Sequence, residues 1–136
     1  MPSVFAKLNL KAQHEILVIN APASFEPEIA ALKDVAVLRD VKNAKAVEFA
    51  LGFVIAQAEL DKLSRQIVAK ATGDALLWFA YPKGTSKRYR CEFNRDSGWN
   101  VLRSAGFETV RAIAIDADWS ALRFRRLRYI KSATRV

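Results

Sequence analysis

Seven consecutive apolar residues, Ala75 to Tyr81, run straight into Pro82-Lys83-Gly84-Thr85-Ser86-Lys87-Arg88. An unbroken run of that length leaves no polar face. It suits a strand covered on both sides of a sheet. Proline then closes the run, since it has no N–H to give to a ladder. The basic, glycine-containing loop that follows falls at the strand's C-terminal end, which is where open α/β sheets hold their ligands.

The other apolar runs fit the same plan. His14 to Asn20 holds four apolar residues in a row and predicts a first parallel strand. Ser24 is a good N-cap for a short helix ending near Lys33, with Glu26 and Glu28 in its first turn and Phe25, Ile29 and Leu32 on one face. Ser3 is a similar cap for a short helix through Leu8. Val35 to Leu38 reads as a second strand and Val47 to Ala56 as a third, in which Gly52 marks a close backbone approach. Gln57 to Ala71 has the apolar stripe of a helix at Leu60, Leu63, Ile67 and Ala71, and Gly73 is a natural stop. Strand, helix and central strand form a right-handed βαβ unit. Beyond the basic loop, Asn94 or Asp96 is expected to cap a helix through Ser104 that ends at Gly106. Phe107 to Ile115 and Trp119 to Ile130 read as two strands joined by Asp116-Ala117-Asp118, a link that permits only an antiparallel hairpin. The side-chain parity of the last strand changes along its length, so a bulge is expected near Arg125-Arg126. The fold class is therefore α/β: a three-layer, Rossmann-like single domain over residues 1–136. Its sheet has about six strands, mostly parallel, with a C-terminal antiparallel hairpin.

Charge divides the chain. Residues 1–73 carry a net charge of +1, whereas residues 74–136 carry +7 of the total +8, with ten arginines. Such a half attracts anions, including nucleic acid, although a solvated basic surface does the same for solubility. No apolar run approaches the roughly 20 residues of a membrane helix, so no membrane partner is expected. A single cysteine, Cys91, makes no internal disulfide and points to a reducing, cytoplasmic setting.

The order of elements is similar to the later part of the class I methyltransferase fold. That resemblance implies the sheet order second, first, third, fourth, sixth, fifth. It also implies a switch point between the first and third strands, facing Asn20 to Ser24 and Ala56 to Ala58. The family uses glycines after the first strand to approach S-adenosylmethionine. Asn20-Ala21-Pro22-Ala23 has none, which argues against that cofactor, and no cofactor is expected. Asp40 follows the second strand, where an acid often holds ribose in this family. In the C-terminal half, Trp78, Pro82-Lys83, Gly106, Asp118-Trp119-Ser120 and Arg123 resemble the pattern of small bacterial proteins grouped as domain of unknown function 3052. The match spans roughly residues 73–125. It implies a degenerate Rossmann-like domain without an established activity.

The candidate ligand residues are Lys83, Gly84, Thr85, Ser86, Lys87, Arg88, Asn94, Arg95, Trp119, Ser120 and Arg123. Gly84 permits unusual backbone angles, and N–H groups around it suit an anion, with hydroxyls and lysines adding donors. Trp119 with Ser120 reads more readily as a packing or conformational residue than as a ligand contact, and Arg123 also as a structural partner for Asp96 or Asp116. Arg123, Arg125, Arg126, Arg128 and Lys131 form the densest basic run, which interleaves with aromatics as single-stranded nucleic-acid surfaces do but also suits a protected edge strand. His14 is the lone histidine, so no histidine-based metal site or catalytic triad is expected. Arginines flank Cys91, an arrangement that lowers a thiol's pKa when they sit beside it, but the expected reading is a buried or idle thiol rather than a nucleophile. The expectation is a non-catalytic domain binding a small anionic ligand or an acidic partner. The alternatives are a divergent methyltransferase and a nucleic-acid binder.

Overall fold

The computed structural model describes residues 4–11 and 13–130. The expected capping by Ser3, and Lys131 of the basic run, lie outside the described residues. Six strands form one sheet: β1 (Glu15–Ile19), β2 (Ala36–Leu38), β3 (Val47–Phe53), β4 (Ala71–Pro82), β5 (Phe107–Ala114) and β6 (Trp119–Arg126). Their order is β2-β1-β3-β4-β6-β5, the order implied by the methyltransferase resemblance. Strands β1 to β4 pair in parallel, and β6 runs antiparallel to both β4 and β5.

Two apolar layers form because the central strands carry apolar residues on both faces, from Phe49 to Phe53 on β3 and from Ala75 to Tyr81 on β4. On β4, Leu77, Phe79 and Tyr81 face one layer and Leu76, Trp78 and Ala80 the other. The first layer is closed by α3 (Gln57–Val68) and α4 (Asn100–Ser104), through Leu60, Leu63, Ile67, Trp99 and Leu102. The second is closed by α1 (Val4–Lys7) and α2 (Glu26–Ala30), with Phe5, Leu8, Phe25 and Ile29 beneath and beside them. Burying each of these large side chains contributes roughly 1.5–3 kcal/mol. Gly52 is the expected close approach: a Cβ there would meet Leu63 Cδ2 at 2.5 Å, so α3 packs directly on the β3 backbone.

Several boundaries differ from the sequence reading, each for a local reason. Helix α3 stops at Val68, and Lys70 turns its Nζ into the carbonyls of Val41 and Ala44 at 2.8 and 2.6 Å. Gly73 is therefore not a helix stop. It lies within β4 at φ +54, where the β3–β4 register jumps between Val47↔Ala71 and Phe49↔Leu76. Arg126 braces this irregularity by donating to Gly73 O and Ala71 O. Ser24 makes no cap bond. It sits in a 3-10 turn, Ala23–Phe25, that leads into α2. Asn94 and Asp96 do not cap α4, which begins only at Asn100. Asn94 Oδ1 instead accepts from Asp96 N and Ser97 Oγ to fold its own loop. The hairpin bulge lies on β5, between Thr109 and Arg111, rather than near Arg125-Arg126. Strand β6 ends at Arg126 and passes into a 3-10 turn, which is why the parity changes there.

Candidate functional site

The C-terminal ends of β1, β3 and β4 share one edge of the sheet, and two clefts open along it. The N-terminal turn of α3 lies between them. Glu59 in that turn accepts from Ile55 N at 2.8 Å and from Asn20 Nδ2 at 3.4 Å, so it ties the ends of β3 and β1 together. Gln57 faces the other way. Its amide donates to Asp61 Oδ1 and Gly98 O, and its N–H donates to the Glu92 carboxylate.

The first cleft, about 770 Å³, lies beyond β4. Its walls come from three segments: Tyr81 to Ser86, Tyr89 to Asn94 with Arg95 and Ser97, and Ser120 of β6. The loop after β4 is pinned to the β5–β6 turn. Lys83 N donates to Asp118 O, and Ser86 Oγ donates to Asp118 Oδ1 at 2.9 Å. Asp116 Oδ1 in turn accepts from Asp118 N and Trp119 N. Among the described residues, Lys83, Arg90 and Arg95 form no ion pair with a carboxylate, and the Glu92 carboxylate is held by α3. The cleft therefore keeps a positive excess. Tyr81 closes it from below. It is 7% exposed, and its phenol pKa is raised by burial, opposed by the positive charge of Arg95.

The second cleft, about 590 Å³, lies over the ends of β1 and β2, lined by Asn20, Arg39, Asp40, Glu59, Lys62 and Gln66 among others. Asn20 ends β1 at φ +60, a left-handed conformation that few residues besides glycine and asparagine adopt. Asp40 accepts from Lys42 N at 3.1 Å and sits 3.7 Å from Lys42 Nζ, with about half of its side chain exposed. Arg39 makes a paired, two-bond contact with Glu26 beside it.

Solved structures share this arrangement of strands. A SAM-dependent methyltransferase from Aquifex aeolicus superposes with a TM-score of 0.59 at 15% identity, over 90% of this chain and 87% of that one. Magnesium protoporphyrin IX methyltransferase from Synechocystis, with bound SAM, gives a TM-score of 0.60 at 12% identity, over 91% of this chain and 76% of that one. The N-methyltransferase NodS from Bradyrhizobium japonicum gives 0.55 at 12% identity, over 90% and 92%. The fold is methyltransferase-like. No protein-family model matches the chain, and no curated protein matches its sequence.

On this methyltransferase-like frame, the second cleft occupies the switch point between β1 and β3, and the basic cleft is its neighbour. Of the residues expected at a ligand site, Lys83, Gly84, Thr85, Ser86, Asn94, Arg95 and Ser120 line the basic cleft. Ser86 has no proton left for a ligand, because its hydroxyl donates to Asp118 while accepting from Arg88 N and Tyr89 N. Lys87 and Arg88 lie outside the lining, and Arg88 approaches Asp118 at 3.9 Å. Trp119 is buried on the opposite face of the sheet, edge-on to Phe53 and against Tyr89. Arg123 lies further along β6, opposite Trp78 and Arg111. It bonds neither Asp96 nor Asp116; its Nε is buried without a partner, and burial lowers its pKa. Much of the densest basic run is engaged by the protein itself. Arg125 pairs with Asp74, and Arg126 stacks on Phe107 while donating to the β4 backbone.

Cys91 takes the buried, idle reading rather than the activated one. Burial pushes the thiol above its ordinary pKa, and this outweighs any arginine nearby. Sequence reasoning did not find Glu59, Gln57 or Tyr81 as site residues. Tyr81 ends an apolar run and looks like core until its ring is seen to close a cleft. Among the described residues no cluster of histidine, cysteine and carboxylate side chains suits a metal ion, and no helix is long and apolar enough to cross a membrane.

Proposed function

We infer that this chain is a divergent methyltransferase-like domain that takes S-adenosylmethionine at the switch-point cleft, beside a second cleft for an anionic acceptor. Asp40 carries the reading. It stands directly after β2, half exposed, with a single backbone N–H on its carboxylate, so lone pairs remain for the hydroxyls of a ribose. Two further residues suit the rest of that ligand. Asn20 supplies the left-handed turn at the end of β1, and the Glu59 carboxylate faces the same cleft, where it suits an ammonium group. The cleft volume is in the range of small-molecule sites. Ala21, Pro22 and Ala23 carry side chains where glycines would allow closer approach, so binding is expected to be weak.

Bound there, the group supplies an electrophilic methyl on sulfur. The chain's own part is to hold the ribose at Asp40, the ammonium at Glu59, and the acceptor in the neighbouring basic cleft, which is orientation rather than acid–base chemistry. This reading replaces the expectation of a non-catalytic domain without cofactor. The sheet order and the methyltransferases that share it support the change. The resemblance to domain of unknown function 3052 belongs to the same proposal, since Pro82, Lys83 and Ser120 of its pattern line the basic cleft. Calorimetry with S-adenosylmethionine and S-adenosylhomocysteine tests it. Both are expected to release or absorb heat, and Asp40→Asn to weaken each about tenfold, as loss of a charged hydrogen-bond acceptor does. No heat at millimolar ligand, or an unchanged Kd in Asp40→Asn, ends the reading.

A further inference from the structure

We propose that the basic cleft beyond β4 is a site for a phosphate-bearing small molecule, with the Tyr81 hydroxyl, Arg95 and Lys83 as its principal contacts. The first observation is a charge excess. Lys83, Arg90 and Arg95 line the cleft without a carboxylate partner among the described residues, and Glu92 is committed to the N–H of Gln57. The second is independent of charge. Tyr81 is more than nine-tenths buried, its ring is fixed against Phe93 and Trp99, and it lines the cleft, yet its hydroxyl makes no hydrogen bond among the described residues. Its oxygen is not among the buried unpartnered side-chain atoms of the described residues, so the hydroxyl meets solvent within the cleft and is free to donate to an acceptor that enters. Arg95 is the cation whose charge acts on it, opposed by burial and by Cys91 and Asp96.

The backbone adds donors. Gly84 and Thr85 form the crest of the loop, and their N–H groups reach no protein acceptor among the described residues. Ser86 is saturated and serves to fix the loop through Asp118. Two backbone donors, a phenol and several cations match a tetrahedral dianion better than a single carboxylate, which has two oxygens. The volume leaves room for the remainder of a nucleotide-sized ligand. This site does not depend on the switch-point reading, because none of its residues touches that cleft.

The test uses the full chain, with inorganic pyrophosphate and adenosine monophosphate as probes and succinate as the dicarboxylate control. Binding is followed by calorimetry and by amide NMR. Pyrophosphate is expected to bind more tightly than succinate and to shift the Gly84 and Thr85 amides. Tyr81→Phe, which keeps the ring and removes only the hydroxyl, is expected to weaken it about fivefold, and Arg95→Gln about tenfold. Lys11→Gln, a distant surface change, is expected to leave binding unaltered. Tighter succinate, amide shifts elsewhere, or a Tyr81→Phe protein that binds pyrophosphate like the parent overturns the proposal. Pyrophosphate binding without any response to S-adenosylmethionine supports this site while ending the switch-point reading.

Discussion

Cys91 shows how a side chain's neighbours in space outweigh its neighbours in sequence. Three arginines flank it along the chain, which suggests an activated thiolate. The fold instead packs the sulfur against the core layer, and loss of hydration dominates. The consequence has a definite sign. The neutral thiol is favoured in the folded state. Its contribution to stability is full below the ordinary thiol pKa and is lost as the pH rises through the higher folded value. Alkylation of the native protein is expected to set in on the alkaline side of a free thiol and to be slow at neutral pH. Iodoacetamide labelling followed by mass spectrometry across pH checks this, and rapid labelling at pH 7 contradicts it. Tyr81 belongs to the same scale. As the last apolar residue of a run it is legible as core, and its ring is buried as expected. That its oxygen reaches a cleft depends on where Phe93 and Arg95 fold back, which the residue's own neighbours do not encode.

At the scale of elements, the segment from Glu92 to Trp99 does more than connect β4 to α4. Glu92 N donates to Ile55 O, Trp99 Nε1 donates to Asn94 O, and the Gln57 side chain reaches Gly98 O. These bonds clamp the wall of the basic cleft to the start of α3. Gly98 is the point on which they depend. Its φ is +98, and a Cβ there would lie 2.6 Å from Gln57 Oε1 and 2.7 Å from Phe93 Cβ. Gly98→Ala is expected to cost about 2–4 kcal/mol, from backbone strain and the displaced Phe93. Chemical denaturation would register it as a lower midpoint. A loss under about 0.5 kcal/mol contradicts the clamp. The sequence showed none of this, because a helix that starts after Asn94 is as good a pattern as a folded loop. Strands were easier to read. Each central strand contains an apolar run buried on both faces, and that fixes its type whatever its exact ends. The ends followed local chemistry: Lys70 seeking carbonyls, Arg126 bracing Gly73, and Asp116 turning the hairpin.

For the whole molecule, a mostly parallel sheet with an antiparallel end was legible from parallel apolar strands, one long crossover helix and a short final link, whereas the strand order was implied by the resemblance to the class I methyltransferase fold. The two clefts follow from that topology, since the parallel strands end together on one edge. What the sequence could not weigh was how the glycine-free turn at Asn20 would be accommodated. The chain solves it with a left-handed asparagine held to Glu59. The opposite edge offers a comparison, a shallow recess formed by Gln13, Glu48, Thr72, Gly73 and Asp74. The most direct measurement is an amide NMR titration of the full chain with S-adenosylhomocysteine. Shifts are expected at Asn20, Asp40 and Glu59, while Gln13, Thr72 and Gly73 stay still. Unmoved amides at the β1 and β2 ends under saturating ligand, or shifts confined to the opposite edge, would contradict the account.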